Sequence, residues 1–242
     1  MVEQYKRRGS HDRREGCLFD MDGVIVDTEL EDFKTQVAFV EAVNREHARS
    51  SEGIDFSVLV GKSYGALQRQ LHEFTGGVLG LDEMWERFLA FDKERHERVD
   101  LASLYRSETE DVLALAERCG LKTAVVSSSS ARRIEEVLSV CGIRDDFDFL
   151  VSGEFLEKSK PDPTIYRNAL KLLSVEPREC VAIEDSAYGI EAAIAAGIPV
   201  IAYEETRVPI DQSAATWKVR NLAEAAVIIR SLVGSQNAQV AN

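Results

Sequence analysis

Five largely apolar runs recur along the chain, and three of them lead straight into polar residues. Cys17-Leu18-Phe19 leads into Asp20, Thr123-Ala124-Val125-Val126 into four serines, and Cys180-Val181-Ala182-Ile183 into Glu184-Asp185. The segment Phe147 to Val151, interrupted by Asp148, and the segment Ile198 to Tyr203 complete the set. Runs of this kind suit strands covered on both faces, as in a parallel sheet. The spacing between them predicts helices. Ser107 to Cys119 places Val112, Leu113, Leu115 and Ala116 at helical intervals and stops at Gly120. A helix over Arg132 to Val140 follows the serines. Asp162 as N-cap with Pro163 in the first turn opens another, to about Leu173, and Ala187 to Ala196 ends at Gly197. Alternating strands and helices predict an α/β fold, a doubly wound parallel sheet with ligands at the C-terminal strand ends.

One stretch breaks the alternation. From about Leu30 to Leu101 no convincing strand is found. Phe33, Val37, Val40 and Val43 form one helical stripe, Leu67, Leu71 and Phe74 a second, and Met84, Trp85, Phe88 and Leu89 a third. Gly61 and Gly76-Gly77 mark turns within it. The reading is an α/β core from 16–29 and 104–233, interrupted by a helical insertion at 30–103. A basic tail at 1–15 precedes the core, and a polar, small-residue tail at 234–242 follows it.

Charge changes the picture next. Acidic residues number 42 against 29 basic ones, a formal charge of −13. A general nucleic-acid binder needs the opposite sign, because phosphate contacts draw on Lys and Arg. No apolar run approaches the roughly 20 residues of a membrane helix. Lys6, Arg7, Arg8, Arg13 and Arg14 are followed by no apolar stretch, so a secretory signal is not expected. Cys17, Cys119, Cys141 and Cys180 form no CxxC pair and suggest reduced thiols in a cytoplasmic protein.

The residues after the apolar runs carry the candidate chemistry. In Asp20-Met21-Asp22-Gly23 the two acids are two residues apart, so in extended chain both carboxylates face one pocket. Two close carboxylates suit an acid/base pair or a hard-cation site. Alone, the pattern also suits an acidic turn. Ser127-Ser128-Ser129-Ser130 offers hydroxyls and N–H groups with a helix N-terminus behind, an anion cradle or a plain helix cap. Lys160 precedes Pro161-Asp162-Pro163, a stiff mount for an ammonium. Glu184-Asp185 places two consecutive acids after a fully apolar strand. Sheet geometry brings all four sites to one edge. Carboxylates, hydroxyls and a cation together are the equipment for moving a phosphoryl group.

Asp20-Met21-Asp22-Gly23-Val24, Ser127, Lys160 with its Pro-Asp-Pro, and Glu184-Asp185 resemble, in order, the motifs of the haloacid dehalogenase superfamily. Asp27-Thr28-Glu29 and the helical insertion look like its β-phosphoglucomutase-like branch with a helical cap. The resemblance spans roughly Gly16 to Glu29 and Leu104 to Tyr203; in the cap it is limited to helical character and Gly61-Lys62-Ser63. It implies a Rossmann-like core and a mechanism. Asp20 is the nucleophile and Asp22 the general acid/base. Mg²⁺ is held by Asp20, the carbonyl of Asp22, Asp185 and Glu184. Ser127, the N–H of Ser128 and Lys160 bind the phosphoryl group.

Asp22 separates the chain from the dehalogenases and phosphonatases of that superfamily, which the resemblance implies lack this aspartate. Two departures separate it from true β-phosphoglucomutases. Asp32 stands where they carry a histidine, and Tyr64 where they carry a cap arginine. The expected function is therefore Mg-dependent hydrolysis of a small phosphate monoester such as a sugar phosphate. The alternatives are a sugar-phosphate mutase and, in a different class, a non-catalytic module binding phosphate or magnesium. Lys62 and Tyr64 are the candidate substrate contacts from the cap. The expected partner is a small phosphorylated metabolite, with no nucleic acid and no membrane, and a monomer as default.

Overall fold

The computed structural model describes residues 15–59, 64–96 and 99–237. Residues 1–14 of the expected tail at 1–15, the Gly61-Lys62-Ser63 stretch and the last residues, 238–242, lie outside the described residues. The strands are β1 (Gly16–Phe19), β2 (Lys122–Ser127), β3 (Phe149–Ser152), β4 (Cys180–Glu184), β5 (Val200–Tyr203) and β6 (Trp217–Val219). The helices are α1 (Glu29–Glu46), α2 (Tyr64–Phe74), α3 (Leu81–His96), α4 (Leu101–Leu104), α5 (Glu108–Cys119), α6 (Ala131–Cys141), α7 (Thr164–Leu173), α8 (Ala187–Ala195) and α9 (Leu222–Asn237). The six strands form one sheet in the order β3-β2-β1-β4-β5-β6, every pair parallel. This is the doubly wound α/β fold that the alternation predicts.

Strand pleating assigns alternate residues to opposite layers. Cys17, Phe19, Val125, Val181 and Ile183 join one core with α5, α6 and α9, where Phe19 meets Phe147 edge to face at 5.4 Å. Leu18, Ala124, Val126, Cys180 and Ala182 join the other core with α7 and α8. Both faces are covered, so the strands read as unbroken apolar runs.

Several boundaries differ from the sequence reading. β3 starts at Phe149, because Asp148 turns its carboxylate onto the Thr123 N–H at 2.7 Å. β6 escaped notice, being a three-residue edge strand whose middle residue is Lys218. Pro163, and not Asp162, holds the N-cap position of α7; Asp162 Oδ1 accepts from the Thr164 N–H at 2.9 Å instead. α9 runs to Asn237, four residues into the expected tail, with Leu222, Ala225 and Ile229 buried at helical spacing.

The inserted helices α1, α2 and α3 enclose a separate core of Phe39, Val40, Val43, Leu59, Leu67, Leu71, Met84 and Phe88. Leu89, expected on the third stripe, is exposed; α3 instead buries Met84 and Phe88, four apart, and packs Phe91 beside them. The chain leaves and re-enters the core through two paired linkers. Asp27 N–H donates to the Leu104 carbonyl at 2.8 Å, and Arg106 N–H to the Ile25 carbonyl at 2.9 Å.

Candidate active site

Sheet topology decides where the site lies. β1 sits between β2 and β4, so the chain winds one way from β1 to β3 and then crosses to β4 on the other side. Ligands bind at such a switch point, beyond the C-terminal strand ends. Asp20 follows β1 and Glu184-Asp185 closes β4, with Asp20 N–H donating to the Ile183 carbonyl at 2.9 Å. Residues far apart in sequence thus become neighbours.

Carboxylate oxygens of Asp20, Glu184 and Asp185 lie within 4.8 Å of one another, all three residues buried. Lys160 reaches in from the loop before α7, with only 7% of it exposed. Its Nζ donates to Asp20 Oδ1 at 2.5 Å, Glu184 Oε1 at 2.6 Å and the Val126 carbonyl at 3.0 Å. One ammonium faces three carboxylates. Burial first, and then the Glu184 charge, push the Asp20 carboxyl well above the usual carboxylate range, although Lys160 opposes them. Burial, then Glu29 and Asp20, do the same to Asp185. Burial alone would lower the Lys160 pKa, but Asp20 and Glu184 outweigh it and raise the ammonium above its ordinary value.

Such a cluster is short of positive charge. Asp185 Oδ2 is buried and has no hydrogen-bond partner among the described residues. An oxygen-only donor set with an orphaned carboxylate oxygen is what a hard divalent cation takes. Asp20, Glu184 and Asp185 fit one.

Two glycines make room for these acids. Gly23 has φ +83°, and a Cβ there would fall inside the Asp185 carboxylate. A Cβ on Gly189, in α8, would collide with the Glu184 carboxylate.

Asp22 stands apart from the trio. Its Oδ1 accepts from Thr28 Oγ1 at 3.2 Å and its Oδ2 from Ser129 Oγ at 2.9 Å. Ser127 is buried and its Oγ accepts from the Ser129 N–H at 3.1 Å, while Ser130 caps α6 by accepting from the Arg133 N–H at 3.2 Å. Asp20, Asp22, Ser127, Ser128, Lys160 and Asp185 line one pocket of about 210 Å³. Tyr64 is the first residue of α2.

The sequence reading missed several neighbours. Thr28 and Ser129 hold Asp22. The Tyr166 hydroxyl donates to Glu184 Oε1 at 2.5 Å. Gln212 Nε2 donates to the Asp185 carbonyl at 2.5 Å and the Tyr203 carbonyl at 2.7 Å. Glu29 lines the pocket, its carboxyl pushed up to about 7 by burial and then by Asp32 and Asp22. Thr28 and Glu29 stood out in sequence only as members of Asp27-Thr28-Glu29, Ser129 as a member of the serine run and Tyr166 as a polar end in an apolar helix stripe, whereas Gln212 left no trace.

Residues 17–203 match the haloacid dehalogenase-like hydrolase family. The chain belongs to that family. It is 31% identical over 208 residues to the protein CbbY of Cereibacter sphaeroides, covering 77% of this chain and 83% of that one. It is 30% identical over 185 residues to hexitol phosphatase B of Escherichia coli, covering 74% and 79%. Among solved structures, a β-phosphoglucomutase from Clostridium difficile superposes with a TM-score of 0.70 at 22% identity, over 95% of this chain and 100% of that one. The fold is shared with that β-phosphoglucomutase. The chain is an enzyme of the phosphohydrolase and phosphotransferase kind. No helix among its described residues is long and apolar enough to cross a membrane.

Proposed function

We propose that this enzyme is a magnesium-dependent phosphatase that hydrolyses a small phosphate monoester, a sugar phosphate, through an aspartyl phosphate on Asp20. The convergence of Asp20, Glu184 and Asp185 around the buried Lys160 ammonium carries this reading. The phosphatase named among its relatives supports it.

An oxygen of Asp20 attacks phosphorus in line while the bond to the ester oxygen breaks. Asp22, protonated, gives its proton to that leaving oxygen. Water then attacks the phosphorus of the aspartyl phosphate and loses a proton to Asp22. The bond to Asp20 breaks, inorganic phosphate departs, and both acids return to their starting states. Ser127 and the Ser128 N–H donate to the phosphoryl oxygens, and Lys160 offsets their charge. Magnesium, held by Asp20, Glu184, Asp185 and the Asp22 carbonyl, supplies the positive charge that keeps Asp20 ionised and balances the transferring group.

Asp32 lines the pocket where a mutase would carry a histidine, and its carboxylate opposes retention of a second phosphate. That supports water as the acceptor. The test is phosphate release from a panel of sugar and polyol monophosphates, with Mg²⁺ and then with EDTA. Release that chelation stops and Mg²⁺ restores is expected. No release from any ester, or full release in EDTA, overturns the proposal. With β-glucose 1-phosphate, free phosphate is expected; glucose 6-phosphate as product would make the enzyme a mutase.

A further inference from the structure

Gln36 and Arg133 each carry a buried polar atom that finds no hydrogen-bond partner among the described residues. In Gln36, on the cap helix α1, it is Oε1; in Arg133, on the core helix α6, it is Nη2. Folded proteins pair the large majority of such atoms, because an unpaired one has lost its water without replacement. Two exceptions on the wall of one cavity point to a partner that arrives with the ligand.

Both residues line a chamber of about 620 Å³ between cap and core. It adjoins the narrower pocket around Asp20, sharing Asp22, Asp32, Gln36 and Ser129 with it. A phosphoryl group under attack by Asp20 occupies the narrow pocket, so the remainder of the ester extends into the chamber. The chamber wall mixes signs: Lys93, Arg132 and Arg133 stand among Asp22, Asp32, Asp92 and Glu136. A second phosphate entering there would meet more carboxylates than cations. Hydroxyl groups both donate and accept, and suit such a wall on every side.

We propose that Gln36 and Arg133 are the specificity-determining residues of this enzyme. Gln36 Oε1 accepts from, and Arg133 Nη2 donates to, hydroxyls on the sugar or polyol beyond its phosphate ester, after small side-chain rotations toward the chamber. The inference rests on the hydrolytic reading above. Neither residue meets the reacting atoms, so their contribution lies in holding the leaving group, and it reads out in KM.

The experiment compares Gln36→Leu and Arg133→Met with the parent enzyme in Mg²⁺. Phosphate release is followed from tetrose, hexose and hexitol monophosphates, from fructose 1,6-bisphosphate, and from acetyl phosphate, which has no hydroxylated tail. In each variant, kcat/KM for the best monophosphate, relative to that for acetyl phosphate, falls about tenfold, mainly through KM. An unchanged ratio in both variants overturns the assignment, and so does a preference of the parent enzyme for the bisphosphate. If the parent enzyme hydrolyses acetyl phosphate but no tailed ester, the assignment fails and so does the sugar-phosphate reading, while phosphoryl transfer to water stands; turnover of a monophosphate with an unchanged ratio sinks the assignment alone. If it hydrolyses nothing, the hydrolytic reading falls first.

Discussion

The Ser129 hydroxyl donates to Asp22 Oδ2 at 2.9 Å, joining residues 107 positions apart in the chain. With Thr28 on the other oxygen, it fixes the plane of the carboxylate assigned as general acid/base. Ser129→Ala removes one of two tethers while leaving Asp22 chemically intact. A hydrogen bond to a charged group contributes roughly 1.5–3 kcal/mol, so kcat is expected to fall by about tenfold or more. Steady-state kinetics check this, and a fall confined to KM would contradict a positioning role.

Asp20→Asn tests the nucleophile. The amide is a poor nucleophile of almost the same shape, so turnover is expected to drop by on the order of 10⁴-fold. The circular dichroism spectrum should remain that of the parent protein. Acid-quenched parent enzyme should retain phosphate that hydroxylamine releases, whereas Asp20→Asn should retain none.

Divalent cations should stabilise the fold as well as support turnover. Asp20, Glu184 and Asp185 crowd negative charge into a buried volume, and a bound cation relieves it. Ligand at about 100 times its Kd adds roughly 2.7 kcal/mol of stability. Thermal melts should show Tm rising with Mg²⁺ in the parent protein and much less in Asp185→Asn. Equal rises in both would remove Asp185 from the proposed metal site.

Gly189→Ala should damage the site from the far side of Glu184. The added Cβ overlaps the Glu184 carboxylate, which also bonds Lys160 and Tyr166. Forcing extra volume into a packed interior costs about 1–3 kcal/mol. Urea unfolding should report that loss, with activity lost alongside. A variant as stable as the parent would show that Glu184 is free to shift.

Asp27 ties the cap linkers to the core. Its carboxylate accepts from Arg106 Nη2 at 2.8 Å and from Arg207 Nη1 at 2.8 Å. Burial alone would raise its pKa, but the Arg207 hydrogen bond and the charges of Arg106 and Arg207 hold it below the ordinary value. A depressed folded pKa contributes stability above the unfolded pKa of about 3.9, lost as pH falls through the folded value. Asp27→Asn should therefore be less stable than the parent at pH 7, with the gap closing below about pH 4. Urea midpoints across that range check it; a constant gap would exclude an ionic origin.

The sheet was legible because its strands are buried on both faces. Cys17 to Phe19 and Cys180 to Ile183 must be apolar throughout, whichever layer each residue joins. β6 was not legible because an edge strand with Lys218 at its centre carries no such signature. The stripe containing Leu89 misled because helical spacing allows two adjacent faces, and only packing against α1 and α2 selects one.

By itself the sequence determined which residue types stand at the strand ends: Asp20 and Asp22 after the first, serines after the second, Glu184 and Asp185 at the fourth. A local pattern suffices for that, because strand, turn and helix alternate within a few residues. Only the tertiary structure decided that Ser129 and Thr28 hold Asp22, that Tyr166 holds Glu184, and that Gln36 and Arg133 share a wall. Those relations join side chains from different elements. Their partners are set by how the layers and the cap pack, and no periodicity along the chain records them.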